Sequence, residues 1–312
     1  MWLLWSALAV LALILAVGGY TFFTACAKRK EVDWLDEVAL QNTPYGQYAK
    51  QIHAATNWLQ SHTAVDVWME SHDGLKLHAH WVPADDPKGT VILAHGYRST
   101  KFLEFGMVFE LYHNLGMNML LIDQRCHARS EGKYITFGVL ESRDVQGWIK
   151  FHNEKFGCHP TLISGLSMGA ATVLYLADRN LPENVKGIIA DCGFTSPKEI
   201  IAKVFRDVAH IGAGPFIWAA DLFARVIAGF SFYERDSRKS LAKSRLPVLL
   251  VHGTEDDFVP CYMTEQAYAA CTSPKEMFLV EKAGHGRSYL YDTPGYRKRV
   301  IDFLRKYINE DI

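Results

Sequence analysis

Three residue types, met in a fixed order along the chain, could together perform covalent chemistry. The first lies in Leu162-Ile163-Ser164-Gly165-Leu166-Ser167-Met168-Gly169-Ala170, a short apolar run that passes into Gly-x-Ser-x-Gly. The residues that follow, Ala170 to Ala177, favour helix. A strand that turns sharply into a helix strains its turn residue and projects the Ser167 hydroxyl clear of the sheet. Gly165 and Gly169 then have a steric role, because side chains there would collide with the neighbouring strand and helix. The helix N-terminus points backbone N–H groups at whatever bonds to Ser167. Alone, the pattern has a plainer reading: a glycine-rich turn with a solvent serine. The context decides.

A serine hydroxyl needs a base to take its proton and a carboxylate to orient that base. Downstream, Leu250-Val251-His252-Gly253-Thr254-Glu255-Asp256-Asp257-Phe258-Val259-Pro260 reads as a strand, an acidic loop and a helix start. Further on, Lys282-Ala283-Gly284-His285-Gly286 places a histidine in a glycine-flanked loop after the last strand. A lone loop histidine is usually just solvated, and a lone aspartate usually caps a helix. Here serine, acid and histidine arrive in the order Ser…Asp…His, each after a strand. The other polar residues have structural readings. Asp123 and Arg125 are expected to pair and fix their loop, and Asp191 to cap the turn after its strand. His95 is expected to bond backbone, and His127 and His252 to be structural. Cys126 and Cys192 lack a motif that would activate a thiol.

The elements that must position these residues follow from hydrophobic period. Val65 to Pro83 alternates around His72-Asp73-Gly74, an antiparallel hairpin signal. Thr90 to Ala94 is unbroken apolar, as in a strand buried on both faces. Helix over Phe102–Leu115, strand over Asn118–Ile122 and helix over Phe137–Phe156 come next. Strands at Thr161–Ser164, Val185–Ala190, Pro247–Val251 and Lys275–Val280 alternate with helices at Ala170–Ala177, Pro260–Cys271 and Pro294–Ile308. Such alternation predicts an α/β architecture, a mostly parallel sheet with helices on both faces. In such sheets functional groups collect at the carboxyl ends of strands, where Ser167, His95-Gly96, Asp123, Asp191 and Asp256 all fall. Thr195 to Ser244 breaks the rhythm: about fifty residues separate two strands, far more than an ordinary crossover. Within it Phe216 to Ala224 is apolar nearly all round. This insertion, about 195–244, is expected to cap the strand ends and shape a pocket.

From about Val65 to Ile308 the chain resembles an α/β-hydrolase of the serine-hydrolase type. It is most similar to bacterial membrane-anchored hydrolases of the serine aminopeptidase and esterase-like group. The matching stretches are His95-Gly96-Tyr97, Asp123-Gln124-Arg125 with Ser130-Glu131-Gly132, Gly165-Leu166-Ser167-Met168-Gly169, Asp191-Cys192-Gly193-Phe194-Thr195-Ser196, and His252-Gly253 with Asp256 and Val259-Pro260. The resemblance implies Ser167 as nucleophile, His285 as base and Asp256 as orienting acid, with Asp256 preferred to Asp257 because the family spacing sets the acid three residues before Val259. It implies an oxyanion hole from the backbone N–H groups of Tyr97 and Met168, and no metal or cofactor. Two departures stand out. Ala128 occupies a position where related sequences usually have Gly. Ala170 stands where prolyl-peptidase relatives often carry Gly, and no propeller domain precedes the hydrolase domain.

The expected substrate is a small-molecule carboxylic ester with an apolar part. Amide cleavage or acyl transfer would use the same residues. The rival of another class is a non-catalytic, membrane-tethered binding module. Such proteins usually lack one of the three residues, and all three are present here.

The 312 residues include 49% hydrophobic and 21% charged side chains, a composition with material for a sizeable core. A net charge of −1 with scattered Lys and Arg argues against a nucleic-acid partner. The six cysteines form no Cys-x-x-Cys and no zinc-like spacing with histidine. Trp2 to Ala27 carries no charged side chain, and about 20 such residues cross a bilayer core. Trp2, Trp5, Tyr20, Phe22 and Phe23 flank the run as interfacial aromatics do. No basic residue precedes it, which favours a retained single-pass anchor over a cleaved signal. Lys28-Arg29-Lys30 places the following domain in the cytoplasm. Thr24-Ala25-Cys26 resembles the end of a lipoprotein cleavage box, but Phe23 fits that box poorly. The expected organisation is an anchor at 1–27, a helical linker at 28–64 with a break at Asn42-Thr43-Pro44, and a hydrolase domain at 65–312. The anchor holds no catalytic residue, so its removal is expected to leave an active soluble enzyme.

Overall fold

The structure is a computed structural model that describes residues 1–29 and 46–312. The Asn42-Thr43-Pro44 break and Lys30 lie outside the described residues. Helix α1 runs over Trp2–Cys26 and α2 over Ala49–Gln60. The strands are β1 (Val65–Glu70), β2 (Lys76–Val82), β3 (Gly89–Ala94), β4 (Met117–Ile122), β5 (Thr161–Leu166), β6 (Val185–Asp191), β7 (Val248–Gly253) and β8 (Lys275–Val280). They form one sheet in the order β1-β2-β4-β3-β5-β6-β7-β8. β2 is antiparallel to both β1 and β4, and every later pair is parallel. This is the mostly parallel sheet of an α/β-hydrolase fold.

Between the strands run α3 (Lys101–Asn114), α4 (Glu141–Phe156), α5 (Met168–Leu174), α6 (Pro197–Ala209), α7 (Gly214–Phe223), α8 (Ser237–Leu241), α9 (Tyr262–Ala270), α10 (Ser288–Tyr291) and α11 (Thr293–Tyr307). Burial follows the pleat. Val91 and Leu93 of β3 join one apolar cluster, while Ile92 and Ala94 join another, so successive side chains feed opposite faces of the sheet. This is why β3, β4, β5 and β7 read as continuous apolar runs rather than alternating ones.

Helix α4 starts four residues later than its periodicity suggests. Phe137 and Gly138 have φ of 53° and 90°, outside helical space. The Glu141 carboxylate accepts the N–H groups of Thr136 and Gly138 at 2.8 and 2.9 Å, which fixes this non-helical entry.

The long insertion folds as α6, α7, a π turn at Ala224–Ala228 and α8. Ser196 caps α6, accepting the Glu199 N–H at 3.3 Å, and Pro197 follows it. The nearly all-apolar α7 has three faces with three fates. Ile217 and Asp221 turn inward, where Asp221 accepts from Phe232 N–H at 2.7 Å and Ser231 Oγ at 2.8 Å. Ala219, Ala220 and Phe223 meet α1, while Trp218 and Leu222 are exposed. The contact with α1 is tight: a Cβ on Gly18 would lie 2.3 Å from Ala219 Cβ, and one on Gly19 would lie 3.1 Å from the Phe223 ring. Phe22 and Cys26 at the end of α1 are fully buried, in a third apolar cluster with Met168, Phe194, Ile217 and Val259. Beyond the helix, Ile135 N–H donates to Cys26 O at 2.7 Å and Lys28 N–H to Lys133 O at 2.9 Å. Truncation of the whole run would therefore open a core, against the expectation from sequence.

Candidate active site

β5 ends at Leu166 and α5 begins at Met168, so Ser167 is the single turn residue between them. Its φ of 55° is a backbone state that non-glycine residues rarely hold. The Ser167 N–H donates to Asp191 O at 2.8 Å, which ties the turn to the end of β6. The flanking glycines are sterically required. A Cβ on Gly165 would lie 2.2 Å from Gly169 O, and one on Gly169 would lie 1.8 Å from Ala94 O. Met168 N–H belongs to the first turn of α5, where a helix has no acceptor of its own.

The structure brings Ser167, His285 and Asp256 together from three separate loops. His285 Nε2 lies 2.9 Å from Ser167 Oγ, and His285 Nδ1 lies 2.7 Å from Asp256 Oδ2. A carboxylate beside Nδ1 requires that nitrogen to carry the proton, which leaves Nε2 free to accept from the serine hydroxyl. Asp256 Oδ1 accepts the N–H groups of Phe258 at 3.0 Å and Val259 at 2.8 Å. The spacing to Val259 thus has a geometric cause: the loop closes on the carboxylate and aims its second oxygen at the imidazole. Burial alone would raise this carboxyl, but hydrogen bonds from His252 and His285 outweigh it and hold Asp256 well below the usual range.

His252, read from sequence as structural, also touches the acid of this arrangement. Its Nε2 lies 2.8 Å from Val259 O and 3.3 Å from Asp256 Oδ2, and its Nδ1 lies 2.6 Å from Thr264 Oγ1. A carbonyl facing Nε2 requires the proton there, so Nδ1 accepts from Thr264. His252 is fully buried and backs Asp256 from the side opposite His285. Asp257 lines the cleft instead, and its carbonyl accepts from Lys203 Nζ of α6, which ties the insertion to the acid loop.

The loop after β3 is braced by groups that only the fold could reveal. Glu104, in the first turn of α3, accepts the Gly96 N–H at 2.6 Å. Burial pushes this carboxyl up to about 8. His95 Nδ1 donates to Gly96 O at 2.9 Å and its Nε2 accepts from Gln124 N–H at 3.1 Å, so His95 bonds backbone as expected. His127 donates from Nδ1 to Arg125 O at 2.9 Å and accepts the Arg98 N–H at 2.9 Å, a structural role as read. Tyr97 and Arg98 also reach α1: Tyr97 OH donates to Ala25 O at 2.7 Å, and Arg98 Nη2 to Thr24 O at 2.8 Å and Ala27 O at 3.2 Å. Ser167 and His285 line a cleft of about 360 Å³ with Tyr97, Leu103, Glu104 and Phe258. The Phe258 ring meets the His285 ring edge-on at 5.0 Å.

Two expected pairings differ. Asp123 and Arg125 do not pair with each other. Asp123 holds Lys101 Nζ at 2.7 Å and His78 Nδ1 at 2.6 Å. Arg125 grips Asp144 with two bonds at 2.6 and 2.7 Å and Asp73 with two at 2.9 and 3.0 Å. Each therefore finds its own partners on different elements, Asp123 on β2 and α3 and Arg125 on the β1–β2 turn and α4. Asp191 accepts from Ser288 Oγ at 3.1 Å rather than capping its own turn, and burial pushes its carboxyl up to about 6. Cys192 is fully buried, which raises its thiol, and it is no nucleophile candidate. Ala128 adopts φ of 44°, a left-handed backbone state that glycine holds with less strain.

By residue type, Asp66, His78 and His80 on the β1–β2 hairpin could hold a metal ion. Arg129 Nη1 already pairs with Asp66 Oδ2 at 2.7 Å, so a cation native to the chain takes the one carboxylate of this cluster.

The family model for serine aminopeptidase, S33, matches residues 85–226, a stretch that holds Ser167 and ends before Asp256. The uncharacterised protein YqkD of Bacillus subtilis is 32% identical over 227 residues, 72% of this chain and 73% of its own length. The α/β hydrolase domain-containing protein WAV2 of Arabidopsis thaliana is 24% identical over 255 residues, 78% of this chain and 80% of WAV2. Among solved structures, an esterase of Pyrococcus furiosus superposes with a TM-score of 0.66 at 23% identity, covering 80% of this chain and 92% of the esterase. With its sheet order and its strained serine turn, the chain belongs to the serine-hydrolase family of the α/β-hydrolase fold.

Proposed function

We propose that this hydrolase cleaves carboxylic esters through an acyl-enzyme formed on Ser167. The observation that carries the reading is the relay from Ser167 Oγ to His285 Nε2 at 2.9 Å and from His285 Nδ1 to Asp256 Oδ2 at 2.7 Å. Ser167 Oγ attacks the carbonyl carbon while His285 Nε2 takes its proton. Asp256 holds the imidazole and stabilises the imidazolium. Backbone N–H groups of Tyr97 and Met168 receive the developing oxyanion, and loss of one such donor costs about 3–4 kcal/mol. Collapse breaks the bond to the alcohol, which leaves with the proton from His285. Water then gives a proton to His285 and attacks the acyl carbon, and Ser167 regains its proton as the acid departs. The apolar lining from Leu103 and Phe258 suits an apolar acyl or alcohol group. The likeness to an esterase supports an ester substrate. The serine aminopeptidase match supports a second reading, amide cleavage by the same residues with an amine leaving.

A fluorophosphonate probe reacts only with an activated serine, and labelling that vanishes in Ser167→Ala is the expected result. No labelling of the wild type would favour the non-catalytic binding module. A panel of p-nitrophenyl esters of rising chain length, run beside aminoacyl p-nitroanilides, separates the two substrate readings. Faster turnover of the anilides would replace ester cleavage by the second.

Helix α1 is long and apolar enough to cross a membrane, by length and composition. Our reading is that it is a retained single-pass anchor, with Lys28-Arg29-Lys30 and the hydrolase domain on the cytoplasmic side. Protease added to intact cells should leave the domain whole. Degradation without lysis would reverse the side, and a mature N-terminus at Cys26 would replace the anchor by a lipid-modified cysteine.

A further inference from the structure

Every residue of α1 from Trp2 to Leu13 is exposed, and from Ile14 onward the helix begins to be covered. At 1.5 Å per residue that free stretch is about 18 Å long, whereas a bilayer's hydrocarbon core is about 30 Å thick. The span can be completed only if the stretch of α1 seated on α7 also lies at membrane depth. α7 would then be carried to the bilayer with it.

The outer face of α7 has the composition such a placement requires. Trp218 and Leu222 on α7 and Val226 in the π turn that continues it recur every four residues and are 55%, 43% and 77% exposed. Ile227 is exposed beside them, and Val208 and Ile211 at the α6–α7 corner are 78% and 53% exposed. Large apolar side chains gathered this way on one segment mark an interaction surface. The stripe is continuous with the α1 contact, since Trp218 and Leu222 alternate along α7 with Ala219, Ala220 and Phe223. Exposed basic groups flank it: Arg206 on α6, Arg225 in the π turn, and Lys28 and Arg29 after α1. Apolar side chains between basic ones are what the acyl–headgroup boundary of a bilayer accepts.

We propose that the outer face of α7 with the α6–α7 corner is a lipid-binding surface, bedded in the same phospholipid bilayer that α1 crosses. The inference rests on the reading of α1 as an anchor. It makes the insertion, expected from sequence to cap the strand ends, a membrane-seated element, and none of its residues lines the cleft at Ser167. It also sets the cleft beside the membrane surface, because cleft residues Tyr97 and Arg98 bond the last turn of α1. Apolar esters dissolved in lipid would then lie within reach of Ser167.

Depth measurement on the full-length protein tests this. Cys158 and Cys261, the cysteines that are not buried, are replaced by serine, and an environment-sensitive nitrobenzoxadiazole label is placed through Val226→Cys, Leu8→Cys or Lys298→Cys. Each variant is reconstituted in vesicles of phosphatidylcholine and phosphatidylglycerol. Labels at 226 and at 8 should both emit to the blue of the label at 298 and be quenched by acyl-chain nitroxides rather than by iodide. A label at 8 quenched by lipid and one at 226 quenched by iodide would overturn the proposal while leaving the anchor intact. A label at 226 shielded from both quenchers would overturn it in favour of a protein partner or a second copy. A label at 8 beyond the reach of lipid nitroxides would remove the anchor and the proposal together.

Discussion

Tyr97 donates its phenol proton to the carbonyl of Ala25 at 2.7 Å, joining the loop beside Ser167 to the last turn of an apolar helix. The last four carbonyls of a helix have no partner within it, and this one is satisfied by the loop after β3. Tyr97→Phe keeps the backbone N–H proposed for the oxyanion but loses the bond to Ala25. The expected cost is about 1 kcal/mol of stability, with a larger effect on kcat than on KM. Unchanged melting and unchanged kcat would show that the contact does not hold the loop.

The same contact bears on truncation. Removing residues 1–13 leaves the buried end of α1 in place, and the remaining protein should fold and hydrolyse esters. Removing residues 1–27 strips out Phe22 and Cys26, both fully buried. Loss of one large buried side chain already costs about 3–5 kcal/mol, so this protein should aggregate or melt far lower. Equal thermal stability of the two truncations would mean that α1 contributes nothing to the core.

Ser167→Ala and His285→Ala should each lower ester hydrolysis by several orders of magnitude, and the double variant should fall no further. Non-additivity is expected because one proton passes between the two atoms, 2.9 Å apart. Additive losses, measured as kcat/KM against a p-nitrophenyl ester, would mean that the residues act separately.

Asp256→Asn should cost about 10⁴-fold in kcat, because an amide can present a donor where His285 Nδ1–H needs an acceptor. Asp257→Asn should cost little, since the Asp257 side chain only faces the cleft. The comparison has a built-in control, for both substitutions remove one negative charge from the same loop. Equal losses would make the effect electrostatic rather than orientational.

The strands were legible because burial on both faces leaves a simple signature, as in Thr90 to Ala94. The grouping of Ser167, Asp256 and His285 was legible because each follows a strand, in a recognisable order. The supporting groups were not. Glu104 reads in sequence as an ordinary acid in a first helical turn, and His252 as a strand-end histidine. What each does depends on a partner distant in sequence or on the folded shape of a loop. The α1–α7 contact left a faint trace in Gly18-Gly19, two small residues inside an apolar run, but its partner surface could be found only in three dimensions.

Glu104 supplies a pH-dependent test of the site's construction. Burial raises its carboxyl from an ordinary 4.5 to about 8, so the folded protein holds a proton that the unfolded chain releases. Below the unfolded value both states are protonated, and the group's contribution is fully present. As pH climbs from 4.5 toward 8 the unfolded state gains from ionisation that the folded state forgoes, and stability is lost across that window. Glu104→Gln keeps an oxygen to accept the Gly96 N–H, bonded at 2.6 Å in the parent, and cannot ionise. Its melting temperature relative to wild type should therefore rise steadily from pH 5 to pH 8. A difference that stays constant with pH would mean that Glu104 is ionised in the fold and that its carboxylate, not its acid form, braces the loop beside Ser167.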